Sequence, residues 1–313
     1  MATRDFTIAI VFLSQTTVGI LGNFFLLYHY IFLYFTGCKS RSPDLILKHQ
    51  TVANSLVIIS KGIPVTMAAF GWKDFLNDIG CKLVFYFHMV GRGVSFGSTC
   101  LLSIFQAITI NPRNFRCAEL QVKSPKYIGF SNILCWILHM LVNIIIPMYV
   151  TSNLNNKTTT DKKNFGYCSS VRHDRTADSL HALLLTFPDV VCLGLMLWFS
   201  GSMVFILQRH KQRVQHIHRN TVYPRSSPET RATQTTLVLV STFVCFYSLS
   251  SILNIFIAVF NHPSQWLLNM GALTAVCFPT VSPFLVLSRD SSASRFCFVW
   301  IRKTKSPHYT RNI

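Results

Sequence analysis

Arg92 stands between Gly91 and Gly93 in the stretch HMVGRGVSFG, with KLVFYF before it and CLLSIFQAITI after it. A guanidinium keeps its charge at physiological pH, so in apolar surroundings it needs a counter-charge, a water-filled cavity or a ligand. Four other ionisable residues lie deep within apolar stretches: Lys61, His88, His139 and Asp189. Two cations against one carboxylate leave a spare positive charge. That balance suits recognition of a small amphipathic molecule with an acidic or strongly accepting group, its carbon skeleton packed on aromatics such as Phe85, Phe87 and Phe96. Enzyme chemistry has no such footing, because no H-E-x-x-H, G-x-S-x-G or paired-aspartate arrangement is present. Ten cysteines occur without a C-x-x-C pair or zinc-like spacing, so no metal and no cofactor are expected.

The elements that must hold these residues follow from composition. Of 313 residues, 50% are hydrophobic and 13% charged, about half the charged share of a soluble domain (roughly 25%). The formal net charge of +18 would suit a nucleic-acid binder only if the basic residues shared a soluble face. They fall instead between apolar segments, as in a membrane protein with basic inner loops, so no nucleic-acid partner is expected.

Seven segments reach the roughly 20 apolar residues that a hydrocarbon core demands: 8–35, 45–70, 83–110, 127–150, 180–207, 235–260 and 266–288. The first is too long for the apolar core of a cleavable signal peptide and is read as a membrane helix serving as its own insertion signal. With the N-terminus outside, nineteen Lys and Arg fall on the inner side and eight on the outer. That bias favours N-out, C-in. The sequon Asn156–Thr158 then lies in the longest outer loop, with Asn156 as glycosylation acceptor. Cys81 and Cys168 share that side and are placed to form a disulfide, the alternative being two free thiols. The expected fold is an all-α membrane protein. Residues 1–290 form a seven-transmembrane helix bundle, and 291–313 a short cytoplasmic tail.

Depth can then be reckoned from a rise of about 1.5 Å per residue. Arg92 falls about 16 Å inward of Cys81, Asp189 about 14 Å from Leu180, Lys61 about 14 Å from Phe70 and His139 about 16 Å from Val150. His88 lies one turn above Arg92. Groups from four helices thus share one outer-half layer, and the candidate ligand-binding residues are Arg92, Asp189, Lys61 and His88. Other readings stand beside this one. Arg92 and Asp189 could pair only to fix helix packing, Lys61 could snorkel to the headgroups, and His139 could be a hydrogen-bonded packing residue.

Longer strings carry a resemblance. DLILKHQTVANSLVIISKGIP (Asp44–Pro64), GCKLVFYFHMVGRGVSFGSTCLLSIFQAITINP (Gly80–Pro112), HKQRVQHIH (His210–His218), RATQTTLVLVSTFV (Arg231–Val244) and CFPTVSPF (Cys277–Phe284) closely resemble vomeronasal type-1 receptors, a family of G-protein-coupled receptors. GILGN (Gly19–Asn23) and Trp136 fit the larger receptor class as well. The resemblance implies a plasma-membrane receptor for pheromones or related odorants that signals through an inhibitory-class heterotrimeric G protein. Rhodopsin-like switches do not carry over: FQA (Phe105–Ala107) replaces Asp-Arg-Tyr, Asn54 replaces the acidic residue of helix two, and SPFLV (Ser282–Val286) stands near Asn-Pro-x-x-Tyr. A bitter-taste-type receptor is the nearest alternative, and the quoted strings speak against it. A channel or transporter is the other, and the two halves show no self-similarity of the kind transporters carry.

The inner side offers partners of its own. Gln208–Asn220 is basic, polar and helix-compatible, suited to a G protein, to anionic membrane lipid or simply to solvent. Tyr223–Thr230 reads as a turn with Ser226 and Ser227 as candidate phosphosites. Ser292–Lys303 mixes aromatic and basic residues like a short interfacial helix, with Cys297 either a palmitoylation site or a free thiol.

Overall fold

The computed structural model describes residues 3–36, 42–72, 75–110, 115–151, 162–164, 167–171, 175–217, 228–259 and 264–289. Asn156, Ser226, Ser227, Cys297 and the tail 291–313 lie outside the described residues.

Among the described residues, seven long helices carry the chain. They are α1 (Thr3–Phe35), α2 (Ser42–Val57, a π-helical turn Ile58–Gly62, then Ile63–Ala69), α3 (Asp78–Ile110), α4 (Phe115–Val142, prolonged by Asn143–Ile145 and Ile146–Tyr149), α5 (Arg175–Ile217), α6 (Pro228–Val259) and α7 (Gln265–Arg289). All seven are long and apolar enough to cross a membrane. The irregularities of α2 and α4 trace to proline. Pro64 would drive its ring into the carbonyl of Ser60, and the wider turn Ile58–Gly62 precedes it, closed by the Ile63 N–H donating to Ile58 O. In α4 the tightened turn Asn143–Ile145 stands before Pro147 in the same way.

Helix ends depart from the sequence expectation where local chemistry extends them. α3 begins five residues early, at Asp78, because Asn77 Oδ1 accepts from the Gly80 N–H (2.8 Å) and caps the first turn. Cys81 therefore sits inside the helix. α5 continues ten residues past 207, through the Lys-, Arg- and Gln-rich segment ending at Ile217, since these are good helix formers.

α3 is the central rod, with buried residues on every side from Val90 to Ser103. α4 and α5 are peripheral, and Leu138, Leu141, Trp198 and Phe205 face outward. α1 and α7 approach closely because Gly19 and Gly22 have no side chain: a Cβ on Gly19 would meet Thr280 Oγ1 at 2.8 Å, and one on Gly22 would meet Phe284 at 3.0 Å. Asn23 completes that contact. Its Nδ2 donates to Gly19 O (2.8 Å) and to Pro279 O (2.9 Å). The second carbonyl is the one that Pro283, lacking an N–H, leaves without its helical partner.

At one end a three-stranded antiparallel sheet covers the bundle, built from β1 (Val150–Thr151), β2 (Lys162–Asn164) and β3 (Ser169–Val171) in the order β1-β3-β2, with Thr151 opposite Ser169 and Lys163 opposite Ser170. A disulfide from Cys81 to Cys168, Cα–Cα 5.9 Å, staples this sheet to α3. Tyr167, Val150 and Ile146 pack around the bridge.

Candidate functional site

The glycines beside Arg92 serve helix packing. A Cβ on Gly91 would press against Ala53 O at 3.0 Å and Val57 Cγ2 at 3.1 Å, so α2 lies directly on that face. A Cβ on Gly93 would run into the ring of His139, and one on Gly97 into Cys135 Sγ, so α4 takes the next face. The space that the two glycines leave beside the arginine is filled by helices. His139 is a packing residue here, its ring on Gly93 and its carbonyl accepting from Asn143 Nδ2 (2.7 Å).

With two faces of α3 occupied, Arg92 points toward α5 and α6. Its Nη2 donates to Asp189 Oδ2 at 3.3 Å, and the Tyr247 hydroxyl donates to the same oxygen at 2.6 Å. The guanidinium carbon lies 4.9 Å from the Tyr247 ring centre, a cation–π contact. One carboxylate thus ties α3, α5 and α6 together. Below it the Tyr247 ring stacks on Phe96 (4.8 Å) and Phe96 on Phe243 (5.0 Å), and Phe278 of α7 meets Phe243 edge-on (4.6 Å). The ion pair rests on an aromatic floor built from α3, α6 and α7.

The pair is asymmetric. The Asp189 side chain is 14% exposed and that of Arg92 36%. Among the described residues Arg92 spends one donor on Asp189. A guanidinium has five donors, so most of this one is uncommitted.

Lys61 and His88 stand above. Lys61 lies in the π-helical turn of α2 with Nζ 5.8 Å from the Phe85 ring centre, and Phe85 in turn leans on Tyr167 beside the disulfide (6.0 Å). His88 is 7% exposed, within electrostatic reach of both Lys61 and Arg92, and its Nδ1 is buried with no hydrogen-bond partner among the described residues. Of the ionisable groups expected in one layer, only Arg92 and Asp189 touch. Of the expected aromatics, Phe96 forms the floor and Phe85 the upper wall. Phe87 does neither: it is 41% exposed on the outer surface of α3, two residues and so more than half a turn from Phe85.

Sequence reasoning passed over Tyr247. It is the sole tyrosine of α6, and a phenol in an apolar helix has to find an acceptor, which was the available signal. A second polar network lies on the α2 face of α3: Ser95 donates to Asn54 Oδ1 (2.6 Å), Asn54 Nδ2 to Ser282 Oγ (2.8 Å), and Gln50 Nε2 to Thr99 Oγ1 (2.7 Å). Asn54 thus joins α2, α3 and α7 as a neutral amide. Trp136 Nε1 donates to His49 Nδ1 (3.2 Å), binding α4 to α2.

Seven apolar helices around a central, disulfide-anchored third helix, with an ion pair and spare donors at mid-depth, define a membrane receptor bundle of the G-protein-coupled type. The model of the vomeronasal organ pheromone receptor family matches residues 6–299. The chain is 57% identical over 302 residues to human vomeronasal type-1 receptor 4, covering 96% of this chain and all of the relative. It is 58% identical over 293 residues to human vomeronasal type-1 receptor 2, covering 94% of this chain and 74% of that one. A more distant likeness, 29% over 280 residues, links it to olfactory receptor class A-like protein 1 of Danio rerio, 89% of this chain and 88% of the relative. The chain belongs to the vomeronasal type-1 receptor family. It is a chemosensory receptor, not an enzyme, and a multi-pass protein of the plasma membrane.

Proposed function

We propose that this receptor binds a small amphipathic pheromone or odorant carrying an acidic or strongly accepting group, and that binding at Arg92 activates an inhibitory-class G protein. The observation carrying the ligand class is the guanidinium of Arg92, which is part-exposed inside an apolar bundle and bonded to Asp189 through one nitrogen. An acceptor on the ligand takes its open donors while the carbon skeleton packs beside the half-buried Tyr247 ring, which the buried Phe96 supports from below. The receptor domain spans 1–290 with its N-terminus outside and the tail 291–313 inside, as the loop charges favour. In that orientation the disulfide, the sheet and the sequon at Asn156 face the exterior, and the basic end of α5 faces the G protein. Arg92, Asp189, Lys61 and His88 are the ligand-binding residues, and Tyr247 joins them.

Family membership favours this reading over a bitter-taste receptor, a channel or a transporter. The test is a screen of organic acids and their neutral analogues on cells co-expressing the receptor with different G-protein α subunits. Loss of cyclic AMP through the inhibitory class, evoked by acids more than by their neutral analogues, is the expected result. Coupling to another class alone would refute the signalling part. Equal responses to acids and neutral analogues would refute the ligand class.

A further inference from the structure

Resting on the reading just given, we infer that the site is bipartite: above the Arg92 subsite, Lys61 and His88 form a second polar subsite, so the preferred ligand is an organic anion with a second hydrogen-bonding group at its far end. Three observations converge. His88 and Arg92 are four residues apart on α3, so they share a face about 6 Å apart along the axis. His88 Nδ1 is buried and unpartnered among the described residues, which costs free energy that a ligand group would recover. Lys61 enters from α2 with Nζ held over the Phe85 ring and, among the described residues, no carboxylate beside it.

The polar groups are stacked in depth, and aromatic rings bound them at both ends. Tyr247 and Phe96 close the lower end, Phe85 and Tyr167 the upper. A ligand with one polar end would satisfy Arg92 and leave His88 and Lys61 as they are. One with acceptors about 6 Å apart engages both levels. The carboxylate of the layer, Asp189, holds its two donors, Arg92 and Tyr247, on Oδ2, and neither upper group bonds to it among the described residues.

Three probes that share one chain and differ at the far end test this: hexanoate, 6-hydroxyhexanoate and adipate. Saturation-transfer NMR on the purified full-length receptor, with probes on the order of millimolar, detects weak binding directly. We expect all three to bind, the hydroxy acid and diacid several-fold more tightly than hexanoate. Lys61→Met should erase that advantage; His88→Phe, a second variant, should weaken the hydroxy acid most. Arg92→Gln should weaken all three. Equal affinity across the series in the wild type, or an advantage that survives both Lys61→Met and His88→Phe, overturns the second subsite while leaving Arg92 as the anchor. Binding of none, or binding indifferent to Arg92→Gln, overturns the underlying pocket and this inference together.

Discussion

Replacing Arg92 by Gln, Asp189 by Asn, and both together probes how the three helices are joined. Removing one partner of a fully buried ion pair costs about 3–5 kcal/mol, and an exposed pair contributes about 0–1. This pair lies between those limits. Asp189 is the enclosed member, 14% exposed, and without Arg92 its charge keeps one donor, the Tyr247 hydroxyl. Arg92→Gln should therefore cost about 2 kcal/mol. The opposite change leaves a guanidinium that is 36% exposed and still seated on the Tyr247 ring, so Asp189→Asn should cost less, about 1 kcal/mol. In the double variant no unpaired carboxylate remains, and the loss should stay near 2 kcal/mol instead of reaching the sum, a coupling of about 1 kcal/mol. Thermal unfolding of the purified receptor in detergent reads this directly, at roughly 2–4 °C per kcal/mol for a chain of this size. Strictly additive losses would dissolve the pair. A larger loss from Asp189→Asn than from Arg92→Gln would refute the assignment of Asp189 as the enclosed partner.

Other expectations test other parts of the bundle. Cys81→Ser and Cys168→Ser should each cost about 2–5 kcal/mol and lower surface expression equally, and alkylation mapping of the surface protein should find neither thiol free. Gly93→Ala should destabilise by overpacking against His139, about 1–3 kcal/mol set against a helix-propensity gain of about 1, and adding His139→Ala should restore the loss. Asn23→Leu should lower the melting temperature by the equivalent of about 1–3 kcal/mol, because Pro279 O loses its donor inside the bundle. Tags at the two termini should stain intact cells only at the N-terminus, and Asn156→Gln should remove a glycosidase-sensitive mobility shift.

The helical bundle was legible because span length and the sparseness of charge are one-dimensional properties, and lipid imposes both. The partnership of Arg92 with Asp189 was legible for a related reason: two opposite charges at matching depth in apolar segments have few other partners. What a chain pattern does not resolve is the direction around a helix. Gly91 and Gly93 read equally as room for a ligand or for a neighbour, and only the positions of Ala53 and His139 decide for the neighbours. Phe85, Phe87 and Phe96 look alike in sequence, yet one lies under the Lys61 ammonium, one faces outward and one stacks beneath Tyr247. Tyr247 and the Asn54–Ser95–Ser282 network depend on contacts between helices distant in the chain, which spacing does not encode.

Expression-corrected potency of Arg92→Gln against wild type, for whichever acid the G-protein screen identifies, measures the central claim. The receptor should lose at least about tenfold in potency at equal surface density, since a charge-assisted hydrogen bond is worth about 1.5–3 kcal/mol. Unchanged potency at equal surface density would remove Arg92 from the ligand site.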